Sequence, residues 1–281
     1  MAMHLDHESV LRILPDRDVN ASKGDFGRIL LLCGSRGFTG AAALAAMGAL
    51  RSGAGLVYLG VPESIYAIEA IKLNEPVVFP LADEGGMLSD RSIGEIQGRL
   101  SAMDAVLVGP GLGRSPGTRA VVTAVLESYQ GCVVLDADGI NVLSEHRNVL
   151  RGRKYPTVLT PHDKEFRRIG GNLTLPRVQA AEAFAAEMGV TLLLKGHETI
   201  ITDGERTYIN KTGNPGMAVG GCGDVLSGMI VSLVGQGIEP LLAAAVAAWL
   251  HGRAGDVCAE QMGQYGMLPS DMLQVLPRLL K

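Results

Sequence analysis

Short, continuous apolar segments recur along the chain, and most are followed by a longer stretch with helical spacing of its apolar residues. Strands buried on both faces of a parallel sheet have such continuous apolar runs. The predicted strands cover 28–33, 56–61, 77–81, 105–108, 132–135, 157–160 and 191–194. The predicted helices cover 10–14, 41–52, 92–100, 118–129, 175–188, 241–259 and 269–280. This alternation predicts a three-layer α/β fold, with helices on both faces of a mostly parallel central sheet.

One pair of strands late in the chain has a different pattern. Residues 199–202 and 207–210 flank Asp203-Gly204, a dipeptide typical of tight hairpins, so an antiparallel hairpin is predicted there. The sequence contains no internal repeat, linker or low-complexity segment. We therefore expect residues 1–281 to form a single domain, as doubly wound α/β chains of this length often do.

Charge and composition exclude several classes of partner. The formal net charge is −4 and no basic run is present, which argues against nucleic acid or an acidic membrane surface. The four cysteines have no metal or redox spacing, which is typical of small apolar side chains in a reducing compartment. The longest apolar run, 241–250, is too short to span a bilayer, and the N-terminus lacks a signal pattern. We expect a cytoplasmic protein.

The stretch 211–228 carries the strongest candidate chemistry. It contains six glycines in eighteen residues, then Asp224, and then apolar residues at helical spacing. Glycines let backbone N–H groups approach a ligand, and a helix beginning at or just after Asp224 would add its positive dipole end. The segment therefore predicts an anion site with an acid at its edge, suited to proton transfer. The alternative is that Asp224 only caps the helix.

Polar or glycine-rich loops follow the predicted strands, where open α/β sheets bind ligands. Gly34, Gly37 and Gly40 follow the first strand, but their spacing is not that of a dinucleotide fingerprint, which disfavours a dehydrogenase. The segment 109–113 follows another strand and contains three glycines around a proline. A tight turn of purely structural importance is the alternative for this loop.

Three further strands end in polar side chains. Asp136, Asp138 and Asn141 follow the strand at 132–135, where they either cap a helix or face a ligand. His162 and Glu165 follow Pro161, which prevents the preceding strand from continuing in the sheet. Lys195 ends the strand at 191–194. A single histidine or lysine in a loop is often incidental, so the joint position of these groups at one edge is the significant feature.

Taken together, these motifs resemble the ADP/ATP-dependent NAD(P)H-hydrate dehydratases, which have a ribokinase-like fold. The most specific match is Asn214-Pro215-Gly216-Met217-Ala218 followed by Gly220-Gly221-x-Gly223-Asp224-Val225-Leu226-Ser227-Gly228. The other matches, in the order of the family, are Lys23-Gly24-Asp25-Phe26-Gly27-Arg28, Gly109-Pro110-Gly111-Leu112-Gly113, Asp136-Ala137-Asp138 with Asn141, and Thr160-Pro161-His162 with Glu165. The resemblance extends from about residue 10 to residue 260.

The resemblance implies a repair enzyme that dehydrates the (S)-6-hydroxy form of NADH or NADPH at the expense of ADP or ATP, by phosphorylation of the hydroxyl and elimination of phosphate. It implies that Asp224 is the catalytic base and that Mg²⁺ lies near Glu165, held largely through water. The residues that the resemblance places on the hydrated nicotinamide nucleotide are Ala41, Gly111, Gly113, His162 and Asp224. Those that it places on the adenine nucleotide are Lys195, Gly196, His197, Glu198, Thr199, Gly220, Gly221 and Gly223.

The resemblance also suggests partners. Some family members are fused to an epimerase domain, so we expect this chain to depend on a separate NAD(P)H-hydrate epimerase for the R form. A homo-oligomer is expected as well. The chain departs from the family at Val219 and Cys222, where a small hydroxyl residue is usual, and at Lys164, where glycine is common. The first two departures remove possible hydrogen bonds to phosphate.

Two other functions share these features. A small-molecule kinase of the same fold, acting on a hydroxymethyl or hydroxyethyl vitamin precursor, would have the same glycine-rich anion site before Asp224. The Asn-Pro-Gly-Met and Thr-Pro-His segments favour the dehydratase. An inactive nucleotide-binding regulator is the third possibility, and measurable turnover of a nucleotide would exclude it.

Overall fold

The computed structural model describes residues 2–280 and has eleven strands. The strands are β1 (Arg28–Leu32), β2 (Leu56–Pro62), β3 (Val77–Leu81), β4 (Asp83–Glu84), β5 (Met87–Leu88), β6 (Ala105–Val108), β7 (Cys132–Leu135), β8 (Thr157–Leu159), β9 (Thr191–Leu194), β10 (Thr199–Thr202) and β11 (Thr207–Asn210). Nine of them form one sheet in the order β11-β10-β9-β8-β7-β6-β1-β2-β3. Neighbours from β9 to β3 pair in parallel, whereas β10 is antiparallel to both β9 and β11. The predicted mostly parallel sheet with a late hairpin is confirmed.

Helices connect the parallel strands, precede β1 and follow β11. They are α1 (His7–Ile13), α2 (Thr39–Arg51), α3 (Glu63–Lys72), α4 (Ile93–Leu100), α5 (Pro116–Ser128), α6 (Asp138–Asn141), α7 (Asn148–Gly152), α8 (Asp163–Arg168), α9 (Arg177–Met188), α10 (Cys222–Gly235), α11 (Pro240–Met262) and α12 (Pro269–Leu279). Within residues 2–280, no helix is both long and apolar enough to cross a membrane.

Successive side chains of the central strands point to opposite faces of the sheet, and the core is therefore divided into two clusters. In β1, Ile29 and Leu31 face the cluster formed with α2, α10, α11 and α12, and Leu30 and Leu32 face the one formed with α4, α5 and α9. Side chains of successive strand residues point to opposite faces, which is why one strand supplies both clusters. The predicted cover of helices on both faces is confirmed.

Helices α2 and α10 approach each other closely because small residues line their contact. A Cβ atom on Gly48 would lie 2.6 Å from the carbonyl oxygen of Val225, and one on Gly228 would lie 2.1 Å from that of Ala45. Such separations allow no side chain. The alanine- and glycine-rich composition of α2 therefore fixes the position of α10, and with it the glycine-rich segment that precedes α10.

The predicted elements agree with the structure to within about three residues at their ends, but several short ones were missed. Helix α3 follows β2 directly, although Ile68 and Ile71 on it are exposed and only Ile65 and Glu69 are buried. Its apolar residues thus do not form the single stripe by which a surface helix is recognised. The hairpin β4–β5 and helices α6, α7 and α8 are too short to produce a periodic pattern.

Candidate functional site

The loops after five neighbouring strands form one continuous edge. Beyond the strand ends the ladder continues through backbone hydrogen bonds: Asp136 N–H donates to Val108 at 3.2 Å, Thr160 N–H to Leu135 at 3.1 Å, and Lys195 N–H to Pro161 at 2.9 Å. Because β9, β8, β7, β6 and β1 are parallel neighbours, their C-terminal ends lie side by side. The expectation that the loops after these strands share one edge is confirmed.

The loop after β6 requires its glycines. A Cβ atom on Gly109 would lie 1.8 Å from the carbonyl oxygen of Asp136, and Gly109 has φ 139°, which side chains rarely tolerate. Gly111 has φ 64°, and its Cβ would lie 2.8 Å from that of Ala41. Ala41 and Gly111, two predicted substrate-binding residues, are therefore in close contact. The Gly113 N–H donates to the Asp138 carboxylate at 3.0 Å, which fixes the end of this loop.

Helix α10 begins at Cys222, so its start lies earlier than predicted. Gly221 is the N-cap residue, in a left-handed conformation with φ 103°, and Asp224 is the third residue of the helix. The alternative in which Asp224 only caps the helix is therefore wrong. Its carboxylate is partly buried and accepts no hydrogen bond from any residue within 2–280. A carboxylate in this position remains free to interact with a ligand.

Lys195 extends from the end of β9 to the first turn of α10. Its Nζ atom donates to the Asp136 carboxylate at 2.8 Å, and a Cβ atom on Gly223 would lie 3.4 Å from the same nitrogen. Asp136 is only 1% exposed and also accepts from the Thr160 hydroxyl at 2.7 Å. The structure thus brings together a partly buried cation, a buried acid and the backbone that precedes Asp224.

Burial and nearby charges shift the pKa of both Asp224 and Lys195. Burial, followed by repulsion from Asp136, raises the pKa of Asp224 to about 7, while attraction to Lys195 lowers it. For Lys195, burial favours the neutral amine most, but attraction to Asp136, Glu165 and Asp224 outweighs it, so the pKa is raised. Lys195 therefore stays charged at neutral pH, and Asp224 exchanges its proton near neutrality, as suits a general base.

His162 and Glu165 form the N-terminal capping interaction of α8. The Nδ1 atom of His162 accepts hydrogen bonds from the N–H groups of Lys164 and Glu165, and the His162 N–H donates to the Glu165 carboxylate at 3.0 Å. An accepting Nδ1 atom leaves the proton on Nε2, on a side chain that is half exposed. The Nε2 atom lies 3.6 Å from the other carboxylate oxygen of Glu165, and contact between His162 and a substrate stays a prediction.

The predicted nucleotide-binding residues after β9 form a closed turn. The Gly196 N–H donates to the Thr199 hydroxyl, which donates back to the Gly196 carbonyl at 2.9 Å. Glu198 has φ 55°, a left-handed conformation that is strained for a residue with a side chain. His197, Glu198 and Gly220 are exposed. Contact between these residues and a nucleotide stays a prediction.

The residues at this edge fit Mg²⁺ that is bound to the phosphates of a nucleotide. Within residues 2–280, no three His, Cys, Asp or Glu side chains are grouped so that they could hold a metal ion. Glu165 is 5% exposed, and one of its oxygens is committed to the α8 cap. Mg²⁺ usually keeps several waters and binds substrate phosphates. The chain therefore fits an ion that arrives on phosphate, and a water-mediated contact with Glu165 stays a prediction.

Asp136 is a functional candidate whose role the sequence left open. Its position after a buried strand left a helix cap and a ligand contact equally open, and the structure shows an ion pair with Lys195 instead. The neighbouring Ala137 has φ 48°, a conformation that is strained for a residue with a side chain. No local sequence pattern identifies the partner of Asp136, because Lys195 lies far along the chain.

Comparison with known proteins identifies relatives of this chain. Residues 29–278 match the family model described as NAD(P)H-hydrate dehydratase. The bifunctional NAD(P)H-hydrate repair enzyme Nnr of Moorella thermoacetica is 44% identical over 275 residues, which cover 95% of this chain and 52% of that protein. That of Salinibacter ruber is 38% identical over 271 residues, which cover 94% of this chain and 50% of that protein. The chain thus spans about half the length of the curated relatives it matches.

Solved structures agree with the sequence match. The ADP/ATP-dependent NAD(P)H-hydrate dehydratase of Bacillus subtilis, co-crystallised with ATP and Mg²⁺, superposes with a TM-score of 0.84 at 29% identity, covering 98% of this chain and 96% of that one. A ribokinase-like superfamily protein of Enterococcus faecalis has a TM-score of 0.86 at 27% identity, covering 99% and 94% of the two chains. The predicted ribokinase-like fold is confirmed.

Proposed function

The chain belongs to the NAD(P)H-hydrate dehydratase family, and we propose that it dehydrates the (S)-6-hydroxy form of NADH or NADPH back to the coenzyme. The observation that supports this most directly is Asp224, a partly buried carboxylate with a pKa near 7 and no hydrogen bond from a residue of the described chain. It follows the glycine-rich segment on α10, which α2 holds in place through Gly48 and Val225. Ala41, near the start of α2, and Gly111 would contact the hydrated nicotinamide.

We propose ADP or ATP, carried with Mg²⁺, as the second substrate. The N–H groups of Gly221 and Gly223 lie at the start of a fourteen-residue helix, where phosphate is favoured by free donors and by the helix dipole. Lys195 adds a positive charge beside Gly223. The dehydratase of Bacillus subtilis that was co-crystallised with ATP and Mg²⁺ supports the same choice of ligand.

The proposed reaction has two steps. First, Asp224 takes the proton of the C6 hydroxyl while the oxygen attacks the terminal phosphorus of the nucleotide, and the bond from that phosphorus to the next phosphate breaks. ADP would thereby become AMP. Second, the phosphate on C6 leaves with the electron pair of its C–O bond, a proton leaves the neighbouring ring carbon, and the ring double bond forms again. Phosphate departs far more readily than hydroxide, which is the purpose of the first step.

The kinase alternative is not favoured. The glycine-rich segment and Asp224 fit it equally well, but the family match covers residues 29–278 and the relatives are named for hydrate repair. An inactive regulator would have no use for a carboxylate whose pKa is near 7. We also propose that the R form of the hydrate reaches this site through an NAD(P)H-hydrate epimerase, because the relatives are bifunctional repair enzymes.

A spectrophotometric assay tests the proposed function. The protein is mixed with Mg²⁺, ADP and hydrated NADH, and recovery of the reduced-nicotinamide absorbance band is followed, with release of AMP and phosphate. Omission of the nucleotide should abolish the signal, and one AMP should form for each NADH recovered. Absence of absorbance recovery with either ADP or ATP would contradict the proposal. Formation of a stable phosphorylated product from a hydroxyethyl alcohol would favour the kinase instead.

A further inference from the structure

The ion pair between Lys195 and Asp136 is built more rigidly than a phosphate-binding lysine requires. The Nζ–Oδ1 distance is 2.8 Å, the Lys195 side chain is 22% exposed and that of Asp136 is 2% exposed. A lysine that only gathers phosphate from solvent works as a flexible point charge at the surface. This ammonium is instead held in one place by a buried carboxylate.

Asp136 is itself fixed from several directions. Its backbone N–H donates to Val108 at 3.2 Å, and its carbonyl accepts from Gly139 at 2.9 Å. Its carboxylate accepts from the Thr160 hydroxyl at 2.7 Å as well as from Lys195. Contacts at the ends of β6, β7 and β8 thus hold the Asp136 carboxylate in place, and the carboxylate in turn fixes the position of the Lys195 ammonium.

The position of that ammonium is beside the first turn of α10. A Cβ atom on Gly223 would lie 3.4 Å from the Lys195 nitrogen and 3.9 Å from an Asp136 carboxylate oxygen. Gly223 directly precedes Asp224, so the ion pair lies in van der Waals contact with the backbone that leads to this carboxylate. Two carboxylates and one ammonium therefore share a small volume at the proposed reaction centre.

We infer that the ion pair of Lys195 and Asp136 controls the proton on Asp224: the ammonium held beside α10 favours the ionised carboxylate, and the Asp136 charge favours the protonated acid. The role assigned to Asp224 rests on the proposed function, whereas the arrangement of the three groups does not. Asp136 opposes ionisation of Asp224 by its own charge, and Lys195 favours it. The two partners thus act on Asp224 with opposite signs.

Other titratable groups face this cluster from the surrounding elements. They are Cys33 after β1, Glu165 on α8, Cys222 on α10 and His251 on α11. Burial raises the pKa of the Cys33 thiol well above its usual range and that of Cys222 to about 11, so both are neutral. Burial lowers the pKa of His251 to about 4, so its ring is neutral too. The charge of Glu165 favours the charged form of Lys195. The cation that favours an ionised Asp224 is therefore Lys195.

The test measures titration of Asp224 in the free protein and in catalysis. In protein labelled with ¹³C-carboxyl aspartate, the Asp224 resonance is identified by its absence in Asp224→Asn. Lys195→Met should raise its midpoint by about one pH unit or more, and Asp136→Asn should lower it, since opposite and like charges at this range shift a carboxyl pKa by such amounts. The pH midpoint of kcat/KM should move in the same two directions.

Two further variants serve as matched controls. Lys195→Arg keeps the charge, and Thr160→Val removes one hydrogen bond to Asp136 without changing any charge, so both should leave the midpoint within about 0.3 pH unit of the wild type. Lys195→Gln replaces Lys195→Met if the latter does not fold. Midpoints that do not move, or that move in the same direction for Lys195→Met and Asp136→Asn, would overturn the inference. Because the carboxyl titration needs no substrate, it stands even if hydrate dehydration is absent.

Discussion

Gly48 on α2 packs directly against the backbone of Val225 on α10, the residue that follows Asp224. A Cβ atom at position 48 would lie 2.6 Å from the Val225 carbonyl oxygen and 3.1 Å from its Cα atom. Both contacts are with backbone, which cannot rotate away as a flexible side chain can. The first turn of α10, which carries Asp224, is therefore held in place by its contact with α2.

The first prediction concerns Gly48→Ala. The added methyl group must displace the first turn of α10, and a shift of about 1 Å at a reacting group can cost about 10²-fold in rate. We expect turnover in the absorbance assay to fall by roughly that factor while the protein stays folded. Gly98→Ala on α4 is the control, because a Cβ atom there has no neighbour within 4 Å. Full turnover by a folded Gly48→Ala protein would show that α10 tolerates the displacement.

The second prediction concerns Asp224→Asn. The amide keeps the size of the side chain but cannot accept a proton, so turnover should fall by about 10²–10⁴-fold. The dissociation constant for ADP with Mg²⁺, measured by calorimetry, should stay similar or decrease, because a negative charge beside the phosphates is removed. Glu127→Gln, an exposed acid on α5, is the control and should keep full turnover. Near-complete activity of Asp224→Asn would exclude the role of general base.

The third prediction is a pH profile. Asp224 must be ionised to accept the hydroxyl proton, and its pKa in the folded protein is about 7. We expect kcat/KM to be constant above neutrality and to fall by about tenfold for each pH unit below about 7, since one proton inactivates the free enzyme. Initial rates measured between pH 5 and pH 9, at hydrate concentrations well below KM, give this profile. A profile that is flat down to pH 5 would assign the base to another group.

The fourth prediction concerns stability, and its sign follows from the same carboxyl group. The pKa of Asp224 is about 7 in the folded protein and 3.8 as the reference value, so the folded state binds more protons between these values. Its contribution to stability is therefore present below about pH 4 and is lost as the pH rises to about 7. Asp224→Asn should raise the melting temperature at pH 8 by about 2–4 °C, the shift that ~1 kcal/mol produces in a protein of roughly this size. At pH 4 the two proteins should have the same melting temperature. A lower melting temperature of Asp224→Asn at pH 8 would contradict the prediction.

The fifth prediction concerns Cys222, the first residue of α10. Burial raises the pKa of its thiol to about 11, so the neutral sulfur offers only a weak donor to phosphate. Cys222→Ser supplies a hydroxyl donor and should tighten ADP binding about fivefold, as one additional hydrogen bond worth ~1 kcal/mol would. Cys132→Ser on β7 is the control, where the dissociation constant should not change. Equal dissociation constants for wild type and Cys222→Ser would show that this position does not contact phosphate.

Local sequence patterns are enough to predict the sheet and the edge at which the site lies. Residues 29–32 are apolar without interruption, which is typical of a strand covered on both faces. The polar and glycine-rich segments after such strands then had to meet, because parallel strands end on the same side. Asp224 could be singled out from the glycines before it. These inferences need only local patterns and the geometry of a parallel sheet.

The tertiary structure alone decided how the groups at that edge act on one another. Asp136 and Lys195 are 59 positions apart, and nothing near either residue indicates that their side chains form a 2.8 Å ion pair. The start of α10 at Cys222 also depends on α2, whose Gly48 admits the backbone of the next helix. Burial and the charges of distant residues set the pKa of Asp224, and both depend on the packing of elements that are remote in sequence.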